Sequence, residues 1–283
     1  MQLGCTIPLY HIPYKENILP ELPEVEAFRK YFNHTSLHQK IRSVEIKSPG
    51  MVKETNPHVI QAKLKNKEFI STSRHGKYLF AKTGNDNYLV FHFGMTGDLK
   101  YFKSIEEIPK YTRLLINFTN SYYLAFDDQR KFGTIRLISN PEKFTKKKNL
   151  GPDPLTKNFK ETAFLKIFKK KTGTIKAALM NQKNIAGIGN IYSDEILFHS
   201  GMHPNTALKK LNEKKLKDIF GNMKKVLKKA ITANAQLKNI PKSFLLNYRK
   251  SDEKCPRCNG KIERRKIAGR SSYFCAKHQK NSV

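Results

Sequence analysis

Short runs of β-branched and aromatic residues recur between residues 41 and 138, and Gly, Asn, Asp or Pro separates them. Such a series of short strands predicts a β-sandwich or a barrel-like domain. Pro57–Leu64 lies among the strands and predicts a helix. The predicted strands are Ile41–Lys47, Glu68–Ser73, Lys77–Lys82, Tyr88–Phe93, Thr112–Phe118, Tyr122–Phe126 and Thr134–Ile138.

A short amphipathic stretch precedes these strands and opens with Leu19-Pro20-Glu21-Leu22-Pro23-Glu24-Val25-Glu26. Proline is tolerated in a first helical turn, and acidic side chains there complement the helix dipole. We therefore predict a helix that begins here and continues to Tyr31-Phe32.

The pattern changes near residue 146. A basic run followed by Gly and two Pro, from Lys146 to Pro154, predicts an interdomain linker. Beyond it we predict short helices at Phe159–Lys169, Thr174–Asn181 and Ile191–His199. A longer amphipathic helix follows, because apolar residues between Leu216 and Ile231 recur at spacings of three and four, with lysines on the other face.

The charge of the chain narrows the class of partner. Its 283 residues are enough for two domains with buried cores, and they include 54 Lys and Arg against 23 Asp and Glu, a formal net charge of +31. The excess is spread along the chain and is not confined to a tail. A polyanionic partner, and nucleic acid before an anionic membrane, explains this composition better than a merely solvated surface.

Two further patterns bear on the cellular compartment. The chain has no run of about eighteen apolar residues, and its first nineteen residues lack the basic and apolar regions of a signal peptide. Three of the four cysteines lie between residues 255 and 275, which favours a metal site in a reducing compartment over a disulfide framework.

The cysteines form a pattern typical of zinc. Cys255-Pro256-Arg257-Cys258 and Cys275-Ala276-Lys277-His278 are two knuckles separated by sixteen residues, and histidine can replace one thiolate in such a site. Four protein ligands leave no open position, so the ion would be structural. Between the knuckles, Lys261–Lys266 and Ser271–Phe274 predict a β-hairpin with Arg270 near its tip, where an arginine can reach into DNA.

A glycine-containing turn between two helical stretches is the next candidate. Gly187 and Gly189 permit close backbone approach, and the helix that follows offers N–H groups to a phosphate, with the Asn190 amide beside them. A turn of this kind alone is weak evidence. In a chain with this charge and a zinc hairpin, we interpret it as a phosphate-binding turn.

Seven stretches stand in the order found in one family. With them the chain resembles the bacterial formamidopyrimidine-DNA glycosylases, relatives of the endonuclease VIII group, from Pro20 to about Gln279. The stretches are Pro20–Glu26, Gly76–Leu79, His92–Gly97, Asp128–Gly133, Leu150–Leu155, Gly187–Tyr192 and the zinc hairpin.

The resemblance implies an α+β multidomain fold. Residues 20–148 would form a catalytic β-sandwich flanked by helices, residues 149–247 a helix-two-turns-helix DNA-binding domain, and residues 248–283 a zinc-finger β-hairpin, with residues 1–19 as an extension.

The resemblance also implies an activity. The family removes oxidised purines, chiefly 8-oxoguanine and formamidopyrimidines, and cleaves the abasic strand by β- and δ-elimination after the damaged nucleotide leaves the base stack. We therefore expect a monomeric enzyme of the bacterial cytoplasm, associated with the nucleoid through damaged double-stranded DNA and holding one structural Zn²⁺.

The resemblance assigns roles to individual residues. A free N-terminal proline at position 20 would be a secondary amine that attacks C1′ and forms an iminium ion, which acidifies the C2′ proton. Glu21 would transfer protons at the sugar, Glu26 would be a supporting carboxylate and Lys77 would contact the phosphate beside the lesion. The residues that fill the void left by the extruded base would be Met95, Arg130 and Phe132. Other DNA contacts would be made by His92, Lys176, Asn190 and Arg270.

Three features depart from the family pattern. His278 stands in place of the usual fourth cysteine, a replacement that zinc accepts. Asn234–Asn247 is short and lacks the glycine-rich stretch that caps extruded 8-oxoguanine in many purine-specific members. Nineteen residues precede Pro20, and an internal proline is an amide that cannot form an iminium ion.

We expect the enzyme itself to begin at Pro20. Position 19, where the family has its initiator Met, is Leu, and leucine codons such as TTG serve as bacterial start codons. A small residue after the initiator allows its removal, which would expose the Pro20 amine.

Two alternatives stay open. An endonuclease VIII-type enzyme for oxidised pyrimidines would share the fold; Leu22 and Val25 favour the formamidopyrimidine branch, whereas the short segment Asn234–Asn247 favours the other. If residues 1–19 are retained, the chain would instead be a noncatalytic DNA-binding protein.

Overall fold

The computed structural model describes residues 19–280, so the predicted extension, apart from Leu19, lies outside the described residues. These residues form two compact units. The first consists of Phe28–Ser73 and Phe80–Ser139, and the second of Leu19–Ala27, Arg74–Leu79 and the described residues from Asn140 onward. The domain boundaries at residues 148 and 247 stay predictions.

Seven helices and ten strands are found in the described part of the chain. The helices are α1 Leu22–Ser36, α2 Pro57–Leu64, α3 Pro141–Lys147, α4 Glu161–Lys169, α5 Ile175–Met180, α6 Asn190–His199 and α7 Glu213–Thr232. The strands are β1 Ile41–Ile46, β2 Phe69–His75, β3 Tyr78–Thr83, β4 Tyr88–His92, β5 Gly97–Phe102, β6 Thr112–Phe118, β7 Tyr123–Asp128, β8 Thr134–Ile138, β9 Ile262–Ile267 and β10 Arg270–Cys275.

The N-terminal strands form two four-stranded sheets, with the orders β1-β6-β7-β5 and β2-β3-β4-β8. Phe91 and Phe93, on and just after β4, contact Phe126 of β7 with ring centroids 5.5 and 5.7 Å apart. Phe28 of α1 stacks on Phe93 at 4.2 Å, so the helix extends the same aromatic core. The predicted β-sandwich is confirmed, and burial of these rings contributes to its stability.

The prediction missed one strand of this sandwich. β5 pairs antiparallel with β7, from Gly97 opposite Asp128 to Phe102 opposite Tyr123. Its sequence opens with Gly97-Asp98, residues typical of a turn, although the polar and apolar alternation that follows is typical of a strand. Pairing with β7 decides the outcome, and Gly97 fits because a Cβ there would collide with the Phe93 backbone.

The second unit is mainly helical. α7 buries one apolar stripe, as the spacing predicted: Leu216, Ile219, Met223, Val226, Leu227 and Ala230.

The predicted linker begins within a helix, since Lys146 and Lys147 form the last turn of α3. This helix starts at Pro141, and the Asn140 side chain caps it. The zinc hairpin is confirmed, with β9 and β10 paired from Ile262–Cys275 to Ile267–Arg270.

No helix among residues 19–280 combines the length and apolar character that crossing a membrane requires.

Candidate active site, DNA-contacting loops and zinc centre

Glu21 is a fully buried carboxylate at the N-terminus of α6. Its oxygens accept hydrogen bonds from the backbone N–H groups of Gly189 at 2.6 Å, Ile191 at 2.8 Å and Tyr192 at 3.2 Å. These donors are unpaired in an isolated helix and carry its positive dipole end, so they stabilise the ionised carboxylate. The prediction that this turn binds a phosphate is wrong for these three N–H groups, because Glu21 occupies them.

Gly189 is the point at which Glu21 and Lys77 meet. A Cβ added to Gly189 would collide with the Glu21 carboxylate and would lie 2.6 Å from Lys77 Nζ. Two residues more than fifty positions apart in the chain therefore present their functional groups to one backbone position. The structure thus brings together a carboxylate and an ammonium that the sequence analysis assigned to the same reaction.

Glu24 is a second buried carboxyl group, 2% exposed, beside Glu21. It accepts the Glu21 backbone N–H at 2.9 Å and the Tyr192 hydroxyl at 2.8 Å. Burial, and secondly the charge of Glu21, raises the pKa of Glu24 from 4.5 to about 8, so this group is neutral at pH 7. Sequence reasoning missed Glu24, although its position three residues after Glu21 is that of the acidic member of a capping box.

The predicted supporting carboxylate, Glu26, forms an ion pair with Arg74. Its Oε2 lies 3.0 Å from Nε of Arg74, whose Nη1 lies 2.5 Å from Oδ2 of Asp153. The same Asp153 oxygen accepts the Gly76 N–H at 2.8 Å. Glu26, Arg74 and Asp153 therefore fix the turn that precedes Lys77. Arg74 and Asp153 were not predicted, although both lie in or beside matched stretches.

Two loops of the first unit are joined through Asp128, which is fully buried. Its carboxylate accepts the Thr96 hydroxyl at 2.5 Å and the N–H groups of Gly133 at 2.7 Å and Arg130 at 3.2 Å. An ionised acceptor with several donors makes strong hydrogen bonds, so the loops 92–97 and 128–133 hold a fixed relation to each other.

The predicted void-filling residues lie on these two loops. Phe132 is 54% exposed, unusual for a large apolar side chain, and the Arg130 guanidinium lies 4.8 Å from its ring centroid. Met95 is half-buried, and His92 accepts the Gly94 N–H through Nδ1 at 3.2 Å. Gly94, at φ +62°, approaches the Phe132 backbone so closely that a Cβ would collide with it.

Lys176 departs from its predicted place. It was expected to present its charge to a phosphate, but the side chain is fully enclosed. Its Nζ lies 2.6 Å from Oδ1 of Asp194 and donates also to the Ser272 hydroxyl. The buried ammonium needs this partner, because an unpaired charge is costly in such surroundings.

Asp194 connects Lys176 to the zinc hairpin. Its Oδ2 lies 2.9 Å from Nη1 of Arg249 and accepts the Tyr273 N–H at 3.0 Å. Next to it, Nδ2 of Asn190 donates to the Ser271 carbonyl at 3.0 Å. These bonds attach β10 to α6, while Arg270, the first residue of β10, lies near the tip of the hairpin as predicted and is exposed.

Four ligand atoms of the zinc knuckles, from Cys255, Cys258, Cys275 and His278, all lie within 4.8 Å of one another. Nδ1 of His278 faces the thiols, 3.5 Å from Sγ of Cys255, while its Nε2 lies 3.3 Å from the Phe198 carbonyl. That second bond places the proton on Nε2 and leaves Nδ1 as a ligand. The donor set fits one tetrahedral structural Zn²⁺, as predicted.

Comparisons with known proteins agree with this arrangement along the chain. The family model described as the formamidopyrimidine-DNA glycosylase N-terminal domain matches residues 19–135. The H2TH domain of the same glycosylases matches residues 150–241, and the zinc finger found in FPG and IleRS matches residues 252–280. The fold and the zinc site therefore define a protein of the DNA glycosylase class.

Individual relatives cover nearly the whole chain. The formamidopyrimidine-DNA glycosylase of Listeria monocytogenes serotype 4b is 35% identical over 93% of this chain and 100% of its own length. The Lactococcus lactis enzyme, solved bound non-covalently to DNA containing an abasic site, matches with a TM-score of 0.85 and 34% identity over 92% of this chain and 100% of that one. A second Lactococcus lactis structure, in complex with DNA containing FAPY-dG, matches with a TM-score of 0.84 and 33% identity over 92% of this chain and 100% of that one. The chain belongs to the formamidopyrimidine-DNA glycosylase family.

Proposed function

We propose that this protein is a bifunctional DNA glycosylase and abasic-site lyase that removes oxidised purines from double-stranded DNA in the bacterial cytoplasm. Family membership supports the reaction class. The observation that carries the proposal is the meeting of Glu21 and Lys77 at Gly189, with Glu21 directly following the proposed nucleophile Pro20.

In the proposed reaction the Pro20 amine attacks C1′, and the damaged base leaves with the electrons of the glycosidic bond and takes up a proton. The proline nitrogen loses its proton, and the C1′–O4′ bond of the sugar then opens, with O4′ taking up a proton, to leave an iminium ion between C1′ and the proline nitrogen. Glu21 moves protons at the sugar, held in place by the three N–H groups of α6. Loss of the C2′ proton then expels the 3′-phosphate, and the second elimination releases the 5′-phosphate. Lys77, held by the Glu26–Arg74–Asp153 contacts, binds the phosphate beside the lesion.

This chemistry requires Pro20 to be the first residue, and we propose that the active form begins there. Two findings support the proposal. The N-terminal family model starts at residue 19, and the Listeria relative is matched along 100% of its length by 93% of this chain.

We propose that Met95, Arg130 and Phe132 fill the void left by the extruded base. The exposed Phe132 ring with Arg130 stacked on it suits insertion between bases, since both groups offer flat surfaces. His92, on the loop of Met95, is proposed as a further DNA contact. Arg270 and Asn190 are proposed to bind phosphates around the lesion, whereas Lys176 acts indirectly by fixing the hairpin through Asp194 and Ser272.

The lesion preference depends on the segment 234–247, which replaces the longer cap of many relatives. Asn234 and Ala235 have positive φ, a 3-10 turn covers Leu237–Asn239, and the end of the segment is attached to Glu195 through the Leu245 and Leu246 N–H groups. The Leu22 and Val25 pattern favours oxidised purines, and the Lactococcus relative was solved with a formamidopyrimidine lesion.

We expect a protein that begins at Pro20 to cleave a duplex carrying 8-oxoguanine opposite cytosine faster than one carrying thymine glycol. Single-turnover rates on the two duplexes, and on a duplex with a preformed abasic site, measure this preference. The enzyme would belong to the oxidised-pyrimidine group if it cuts the abasic-site control and removes thymine glycol but leaves 8-oxoguanine in place. Failure on all three duplexes would refute the enzymatic function.

A further inference from the structure

A basic cavity of about 220 Å³ lies in the second unit, where the C-terminal end of α6, α7, the segment 234–247 and the first zinc knuckle meet. None of its residues takes part in the chemistry proposed above. Its volume is below the range of roughly 300 to 1,000 Å³ usual for drug-sized ligands, so it suits a small group. Its lining includes His199, Lys225, Lys229, Ser243, Phe244 and Arg257.

Three cations from two elements converge on this cavity. Lys225 and Lys229 stand one turn apart on α7, and like charges at this spacing destabilise a helix. Arg257 approaches from the zinc knuckle. Within residues 19–280 none of the three has a carboxylate partner, whereas Lys217 on the same helix is paired with Glu213 and Glu161. An anion in the cavity would relieve this repulsion.

Neighbouring residues hold Arg257 and Lys229 at the lining of the cavity. Nη1 of Arg257 lies 3.3 Å from the carbonyls of Phe198 and His199, so Arg257 neutralises the negative end of α6 and its other N–H groups stay available. Lys229 Nζ lies 6.0 Å from the Phe244 ring centroid, and His199 stacks edge-on against the same ring. Ser243 adds a hydroxyl. The nearby acid, Glu195, is 1% exposed, accepts two backbone N–H groups and lies 3.0 Å from Nε2 of His199.

The cavity is separate from the proposed lesion contacts of the zinc hairpin. Arg257 lies in the knuckle before β9, while Arg270 lies beyond the turn at the other end of that strand. The six residues of β9 rise about 20 Å. We propose that this cavity is a second anion site, which binds a phosphate group away from the lesion. The phosphate belongs either to the DNA backbone or to a free phosphate compound.

The test compares Lys225→Ala/Lys229→Ala with Lys214→Ala/Lys228→Ala, which removes two exposed lysines of the same helix outside the cavity. Calorimetric titration with inorganic phosphate should show binding to the parent and control, and at least roughly tenfold weaker binding to the cavity variant. Zinc content and thermal unfolding confirm that all three proteins are folded.

A second arm measures the affinity for an undamaged duplex across a salt series. If DNA supplies the phosphate, the magnitude of the slope of log K against log salt should fall by about one in the cavity variant relative to the control, because one phosphate is no longer neutralised. A change in the phosphate titration alone identifies a free phosphate compound as the ligand. Equal behaviour of the two variants in both arms would overturn the proposal. Cleavage of an abasic-site duplex by each variant reports separately on the proposed enzymatic function.

Discussion

Glu21→Gln should lower the rate of 8-oxoguanine excision by roughly 10² to 10⁴-fold, the usual contribution of a positioned general acid or base. The amide cannot exchange the proton, and its NH₂ group, in place of one oxygen, would face either the Ile191 N–H or the N–H groups of Gly189 and Tyr192, which now donate to the carboxylate. Loss of the buried anion at the α6 N-terminus should also cost about 1 to 2 kcal/mol of stability. Single-turnover excision and thermal unfolding measure the two effects.

Glu24→Gln is the matched control, since it changes an equally buried carboxyl group in the same helical turn. Glu24 is already neutral at pH 7, so the amide imitates its protonated form and should leave excision within about tenfold of the parental rate. The Tyr192 hydroxyl can rotate to accept the new NH₂ group. A rate loss in Glu24→Gln as large as in Glu21→Gln would show that packing in this turn, not proton transfer by Glu21, limits the reaction.

Glu24 should also make the stability of the protein depend on pH. The pKa of Glu24 is raised from 4.5 to about 8 in the folded protein, so its protonated form favours folding. The contribution is complete below about pH 4.5 and is lost as the pH rises to about 8. The free energy of unfolding of the parent should therefore fall over this interval relative to that of Glu24→Gln. Denaturant titrations of both proteins at several pH values measure the difference.

Loss of the zinc ligands should have the second large effect. His278→Ala should abolish stoichiometric zinc binding and unfold the hairpin, because structural zinc sites contribute apparent binding energies of about 10 kcal/mol or more. Arg270 would then lose its support. Duplex affinity should fall at least roughly tenfold, since one charge-assisted hydrogen bond contributes about 1.5 to 3 kcal/mol.

His278→Cys is the control for this prediction. A thiolate at position 278 restores the four-cysteine set that zinc also accepts, so zinc content and duplex affinity should stay near those of the parent. Metal analysis and fluorescence anisotropy measure both quantities. Tight duplex binding by zinc-free His278→Ala would show that the hairpin is not part of the DNA-binding surface.

Much of this arrangement was predictable where local spacing alone decides the structure. The α7 stripe, the zinc knuckles and the hairpin depend on periodicities of a few residues, and the structure confirms all three. β5 was missed because its pairing partner, β7, lies further along the chain, from Gly97 opposite Asp128 to Phe102 opposite Tyr123. α3 was missed because Lys146 and Lys147 belong equally well to a helical last turn and to a basic linker.

The site shows the same division. The residues with family motifs were identified, but their partners were not, because a buried contact leaves no local pattern. Glu21 occupies the amides that were assigned to a phosphate, Arg74 engages Glu26, and Asp194 encloses Lys176. Each partner lies between 18 and 171 positions away in the chain, so only the fold reveals it.

The central claim is that the Pro20 amine forms a covalent intermediate with DNA. Borohydride reduction in the presence of an abasic-site duplex tests it most directly, on two preparations whose N-termini are verified by mass spectrometry: one beginning at Pro20 and one retaining Met1. The Pro20 form should yield a covalent adduct that peptide mapping locates at Pro20, and the Met1 form should yield none. An adduct at a lysine, equal trapping of both forms, or no trapping of the Pro20 form would contradict the account.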